Sequence, residues 1–329
     1  MEDSSPVALL SMEGSWRSVW KAQDPVSEER IILKLLQLHR NFTTEAFHAQ
    51  EMDIRVMERL TASPRVVSSY GFCGQSMLTQ FAKSSGSVVM KDATLKWRDR
   101  LKLAVDLAQG LAELHALQPV DLDRILQKAF QHQPDPIAFL QATNMMTPSI
   151  FAYNDINVAN TISLAPKTVQ WNDFNLGMLS QNRTDGSGAC ALPVRYEGIL
   201  WRSPEEIQNA TGQLQSFNPS DVYSFGTVLY TVFTKHQPWT HLEEGNENPT
   251  EEEIAQKKLQ GLLPNLPTKY QPKRLEARIL WEASKACFRR DPDKRPSAYR
   301  LAVALGIAVK QVLAGKELTD ETVQSLFAV

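Results

Sequence analysis

The 329-residue sequence predicts an α+β fold in two unequal lobes, a small β-rich N-terminal unit with one helix and a larger, mainly helical body. Three observations lead there. Short apolar, β-branched runs crowd the first 82 residues. Apolar residues at helical spacing dominate the rest of the chain. Between the two regions, Lys83-Ser84-Ser85-Gly86-Ser87 reads as a flexible connection. We therefore expect one domain over 1–329, with a small lobe at 8–82 and a large lobe at 83–315.

Each element has its own signal. The runs Ser18-Val19-Trp20-Lys21-Ala22 and Arg30-Ile31-Ile32-Leu33-Lys34-Leu35-Leu36, broken by Gln23-Asp24-Pro25, read as paired strands. From Thr44 to Leu60, the residues Asp53, Val56, Met57 and Leu60 fall on one helix face, and Ser63-Pro64 stops the helix. Strand-like runs return at Val66–Tyr70 and Ser76–Phe81, around Gly71 to Gly74. Beyond the connection, Leu101, Leu103, Ala104, Leu107, Ala108, Leu111 and Leu114 predict a long buried helix. Residues 117–148 mix amphipathic pieces with Gln, Pro and Asp and read as an insertion carrying its own helix or two. It is either a docking surface or a tolerated surface excursion. Strands are expected again at Asn160–Leu164 and Val169–Trp171, a loop at Ser180–Gly188, and mostly helices from Ser220 onward.

Composition narrows the function classes. With 35 Lys+Arg against 37 Asp+Glu the formal charge is −2, so no global field gathers polyanions, and a dedicated nucleic-acid or membrane-surface binder is not expected. The N-terminal Met1-Glu2-Asp3-Ser4-Ser5 lacks the features of a secretory signal, and no apolar run is long enough to span a bilayer. Cys73, Cys190 and Cys287 lie far apart without CxxC spacing, which argues against a disulfide framework or structural zinc and for a reducing, intracellular compartment.

The chemistry-bearing residues sit mostly in the second half. Asp155 is followed five residues later by Asn160, and Asp173-Phe174 lies beyond the predicted strand pair. Alone, an Asp in a loop is more often a turn or cap residue. Taken in order with Arg202-Ser203-Pro204-Glu205, Asp221-Val222-Tyr223-Ser224-Phe225-Gly226 and Asp291-Pro292-Asp293-Lys294-Arg295-Pro296-Ser297, these make five motifs whose succession resembles the protein kinase superfamily. The resemblance covers residues 8–310 and implies a two-lobed protein-kinase-like fold that binds ATP and Mg²⁺. It implies Asp155 as the base for an acceptor hydroxyl, and Asn160 and Asp173 as Mg²⁺ ligands, whose oxygens suit a hard cation. Lys34, closing the run Ile31-Ile32-Leu33-Lys34, takes the place of the phosphate-contacting lysine. Its acidic partner is Asp53, which shares the apolar helix face, with Glu51 as the fallback.

The resemblance also places the nucleotide pocket. Leu78-Thr79-Gln80-Phe81-Ala82 resembles the hinge that pairs with adenine, with Thr79 as the small residue at the back. Ala22, Ile32 and Leu164 are expected as apolar walls, each equally explained as core. Met12-Glu13-Gly14-Ser15-Trp16-Arg17-Ser18-Val19 stands for the phosphate-covering loop and keeps Val19 but only Gly14 of three glycines. Arg17 is then either a compensating phosphate ligand or a solvated surface charge.

Other departures bear on mechanism. Tyr153-Asn154 replaces His-Arg, so the arginine that grips a phosphorylated activation loop is missing, although Thr184, Ser187 and Tyr196 offer hydroxyls. Asn157 stands where serine/threonine kinases carry a lysine that neutralises the transferring phosphoryl group. Glu205 and Arg295 are expected as a buried ion pair. The leading expectation is an ATP-dependent protein kinase acting on a serine, threonine or tyrosine hydroxyl of a protein substrate. The alternative is a pseudokinase serving as an interaction or scaffold domain.

Overall fold

Alternating β-branched and apolar runs build a five-stranded antiparallel sheet from the N-terminal part of the chain, in the order β1-β2-β3-β5-β4. The strands are β1 (Val7–Ser11), β2 (Arg17–Gln23), β3 (Arg30–Leu36), β4 (Ser69–Cys73) and β5 (Ser76–Gln80). The computed structural model describes residues 7–12, 17–37, 39, 41, 43–132, 136–142, 150–181, 184, 190–194, 198–210, 212–214, 217–240, 248–266 and 270–328. Asp24 shapes the β2–β3 turn by accepting the N–H groups of Val26 and Ser27 at 2.7 and 3.0 Å. Helix α1 (Thr44–Arg59) begins where the Thr43 hydroxyl accepts the Ala46 N–H, and it buries Asp53, Ile54, Val56 and Met57.

Two expectations for this lobe are corrected. The first strand of the second hairpin begins at Ser69 rather than Val66. Val66 and Val67 are both fully buried, so they do not alternate as a half-exposed strand requires. Instead Val66 forms a parallel bridge with Trp171, and Val67 N–H donates to Trp171 O at 3.0 Å, splicing the small lobe to the large one. The second correction concerns the connection at 83–87. Ser84–Ser85 form strand β6, and the Ser85 hydroxyl caps helix α2 (Gly86–Lys91). Close packing holds it, since a Cβ on Gly86 would come within 2.3 Å of the Thr161 hydroxyl.

The large lobe packs α3 (Trp97–Ala116) against α10 (Ala298–Leu313), and α7 (Asn218–Thr234) against α9 (Leu275–Cys287). Between them, α4 (Leu122–His132) and α5 (Pro136–Ala142) come from the predicted insertion. Leu122, Leu126, Ala129 and Leu140 are buried, and Leu126 approaches Gly306 of α10 so closely that a Cβ there would stand 2.8 Å away. The described part of 117–148 is therefore built into the core rather than laid over it. Helices α6 (Pro204–Gln208) and α8 (Glu251–Leu259) flank the core, and α11 (Asp320–Leu326), beyond residue 315, buries Val323 and Leu326 in it. No helix among the described residues is long and apolar enough to cross a membrane.

Short strands frame the loops between the lobes. β6 pairs with β8 (Thr161–Ser163), β8 with β9 (Gln170–Trp171), and β7 (Phe151–Ala152) with β10 (Met178–Leu179). Trp171 fixes this frame: its indole N–H donates to Leu107 O at 3.0 Å, and its ring lies where a Cβ on Gly110 would be 2.7 Å away. Only a glycine at that point of α3 admits the ring, which sets the level of the Asn172–Phe174 segment next to it.

Candidate active site

Strand register decides which small-lobe side chains face the large lobe. Lys34 pairs with Val19 and Met77, and Ile32 with Lys21 and Thr79, so these six share one face of the sheet. Ala22 pairs with Ile31 and lies on the opposite face, which corrects its expected place beside Ile32. Thr79 is buried, while Gln80 points the other way and its side-chain oxygen accepts the Ser68 N–H. Phe81 and Ala82 join β5 to β6, with the Arg30 guanidinium 4.8 Å from the Phe81 ring centre. Leu164 lies just past β8, and Ile162, one β-period earlier, is the strand's apolar side chain against the core. Gly14, Glu13, Ser187 and Tyr196 fall outside the described residues.

On the sheet's large-lobe face, charge is concentrated around Asp53, which is fully buried. Lys34 Nζ stands 3.8 Å from Asp53 Oδ2 and donates to Asn172 Oδ1 at 3.3 Å. The Phe174 N–H donates to Asp53 Oδ1 at 2.8 Å. Burial pushes the Asp53 carboxyl up, but Lys34, Arg17 and these hydrogen bonds outweigh it and hold it below the usual range. Arg17 is the unexpected member: it is buried, and its Nη2 donates to Asp53 Oδ2. Glu51 points away and pairs with Arg55 at 2.6 Å on the exposed side of the helix.

The large-lobe side is organised by hydrogen bonds. Asp221, buried in α7, accepts the N–H groups of Tyr153 and Asn154 at 2.7 and 2.8 Å and lies 3.1 Å from His115 Nε2. These contacts hold Asn154 at φ +60° and present the loop beginning at Asp155. Asn160 donates to the Asp155 carboxylate and to its backbone oxygen. Asn157 also donates to the Asp155 carboxylate, at 3.2 Å, and accepts the N–H groups of Ala159 and Asn160. Burial raises the Asp155 carboxyl above its ordinary value, against the Asn160 hydrogen bond and Arg202. Tyr153 packs its ring 5.1 Å from that of Phe174 and donates its hydroxyl to Asn172 O.

Asp173 adopts φ +64°, a left-handed backbone that is uncommon for a non-glycine residue. Burial and the neighbouring Asp53 charge raise its carboxyl, opposed by Lys34 and Arg17. Its Oδ1 is buried with no hydrogen-bond partner. An orphaned anionic oxygen of this kind suits a cation. Among the described residues no three His, Cys, Asp or Glu gather into a metal cluster.

Comparison with known proteins gives the family. A family profile described as protein tyrosine and serine/threonine kinase matches residues 138–305. The chain belongs to that family. As a kinase it is similar to the dual specificity protein kinase shkA of Dictyostelium discoideum, at 26% identity over 87% of this chain and 46% of that protein. It is also similar to the serine/threonine-protein kinase CTR1 of Arabidopsis thaliana, at 26% identity over 72% of this chain and 24% of that protein. The RAF proto-oncogene serine/threonine-protein kinase of Xenopus laevis shares 31% identity over 32% of this chain and 15% of that protein. The chain spans less than half the length of these relatives.

Within the kinase domain, the two segments flanking the site are tied in ways the sequence did not advertise. Arg202 is buried and donates to Asn154 O at 2.9 Å and to Glu206 at 3.0 Å, so a cation reaches the start of the Asp155 loop, where the resembled family has an arginine of its own. Lys258 of α8 is fully buried and donates to the carbonyls of Ile199, Leu200 and Arg202. Its ammonium lies 5.3 and 5.5 Å from the ring centres of Tyr223 and Trp239. One tie was expected from the sequence: Arg295 forms two parallel hydrogen bonds to Glu205 at 2.6 and 2.8 Å. Arg17 had one legible signal, its odd-numbered parity with Val19 on β2, while Lys258 had none beyond one place on an amphipathic helix. Asn175 comes after Asp173-Phe174 where the resembled triplet ends in glycine.

Proposed function

We propose that this chain is an active protein kinase that transfers the γ-phosphate of ATP to a protein hydroxyl, with Asp155 as the base. The observation that carries this reading is one cleft holding Lys34 against Asp53, Asp155 against Asn160, and Asp173 with a free buried oxygen. Asp173 and Asn160 are the residues that would hold Mg²⁺, which when bound neutralises phosphate charge. Asp155, made more basic by burial, takes the proton of the acceptor oxygen as that oxygen bonds to phosphorus and the bond to the departing ADP breaks. Asn157 and Asn160 fix the carboxylate's orientation. Lys34 contributes positive charge on the small-lobe side. The shkA, CTR1 and RAF relatives are serine/threonine or dual-specificity kinases, which supports serine and threonine as the first acceptors to try.

One feature favours a second reading as a pseudokinase scaffold: Arg17, not Lys34, makes the shorter contact to Asp53. Two measurements separate the readings. Thermal unfolding with and without Mg·ATP reports binding, and Lys34→Met removes the expected shift. Transfer of radioactive phosphate from ATP to casein or myelin basic protein reports activity, and Asp155→Asn abolishes it. Binding without transfer to any acceptor supports the scaffold reading.

A further inference from the structure

Arg17 carries a charge that the ordinary chemistry of this site does not require. It enters the face of β2 that also bears Val19, and only 7% of its side chain is exposed. Nη2 is held by Asp53, but Nη1 is buried without a partner. A buried guanidinium end left unpaired costs free energy, and no Asp53 oxygen reaches Nη1: Oδ2 takes Nη2, and Oδ1 takes the Phe174 N–H. Besides the buried Gln50 amide on α1, Asp173 Oδ1 is also an orphan, an anionic oxygen acted on by the Arg17 charge yet not bonded to it. One site thus holds an unsatisfied cationic donor and an unsatisfied anionic acceptor. A ligand that satisfies the first offers anionic oxygens. Arg17 and Lys34 together balance Asp53 and Asp173, and Asp155 is a further carboxylate acting on Asp173.

We propose that Arg17 is a phosphate-binding residue of the nucleotide site: its free Nη1 takes an oxygen of the polyphosphate while Nη2 keeps Asp53, giving the chain a hold on nucleotide phosphates that does not depend on Mg²⁺. The proposal rests on the reading of the cleft as a nucleotide site. It is tested by calorimetric titration of the chain with adenosine and with ATP, each in Mg²⁺ and in EDTA, for the parent, Arg17→Gln and Asp53→Asn. In EDTA the parent binds ATP about tenfold or more tightly than adenosine, the scale of one charge-assisted hydrogen bond. Arg17→Gln lowers the preference for ATP about tenfold, to what Lys34 alone sustains, while leaving adenosine affinity within about twofold. Asp53→Asn breaks the same ion pair but keeps the guanidinium, so its preference for ATP in EDTA is at least that of the parent. Equal loss of preference in both variants makes Arg17 a structural staple and overturns the proposal. An unchanged preference in Arg17→Gln overturns it as well. If Arg17→Gln does not fold, the parent decides: equal affinity for ATP and adenosine in EDTA sinks the idea. Failure of the nucleotide reading looks different, because then the parent binds neither ligand, with or without Mg²⁺.

Discussion

The two walls of the cleft are held by different forces. On the large-lobe side, Asp221 fixes the backbone of Tyr153 and Asn154, and the Asp155 carboxylate is oriented by neutral amide donors from Asn157 and Asn160. On the small-lobe side, Asp53 is shared by two cations, Arg17 and Lys34. Hydrogen bonds to backbone are directional and leave one geometry, whereas ion pairs tolerate exchange of partners. The lower wall is therefore set by the fold alone, and the upper wall responds to whatever charge enters between the lobes.

Breaking the lower wall has the largest effect. Asp221→Asn leaves buried N–H groups short of an acceptor and costs about 4 kcal/mol, read as a lower urea midpoint; a loss below about 1 kcal/mol would show that the loop is held elsewhere. Glu205→Gln leaves the fully buried Arg295 uncompensated and costs about 3 kcal/mol. This pair also has a pH signature. Burial raises the Glu205 carboxyl, but the Arg295 hydrogen bonds and charge, with Ser220, hold it below the usual glutamate range. As pH falls the unfolded chain takes up this proton first. The contribution is complete above the ordinary glutamate value and drains away as pH drops through it to the lowered folded value. Urea midpoints of the parent and Glu205→Gln should converge over that acidic interval and stay apart at neutral pH.

Smaller effects sharpen the contrast. Burial raises the Asp155 carboxyl, so its ionised form works against folding at neutral pH. Asp155→Asn should therefore raise stability by about 1 kcal/mol, read as a higher urea midpoint, while abolishing transfer; a destabilised variant would mean that the carboxylate is held more tightly than its environment suggests. On the upper wall, Glu51→Gln disturbs the exposed contacts with Arg55 and His48 and shifts stability by less than about 0.5 kcal/mol. A larger shift would make Glu51 more than a surface charge.

How much of this was legible depends on sequence distance. Asp155, Asn157 and Asn160 lie within one loop, so their mutual geometry is encoded locally and their spacing could be read directly. Asp53 was readable because helix periodicity puts it with Val56 and Met57 on the buried face. Arg17 could be named in the phosphate-covering loop, but its pairing with Asp53 could not be read, because its burial depends on α1, 36 residues away, arriving over the same face of β2. Ala22 failed by one residue of parity, the error that a period of two makes total. Val66 and Val67 look like strand residues and are instead buried against Trp171, a partner more than a hundred residues on. The insertion looked peripheral because its interruptions are polar, while the four residues it buries beside α10 are ordinary leucines and an alanine.

The carboxylate of Asp221 has one more consequence, in time rather than in space. It receives the amide protons of Tyr153 and Asn154 from inside α7, a helix that is itself almost wholly buried. Those protons meet solvent only when α7 leaves the core. In heavy water these two amides, although they belong to a loop, should exchange with the slowest class of the molecule and report its global unfolding.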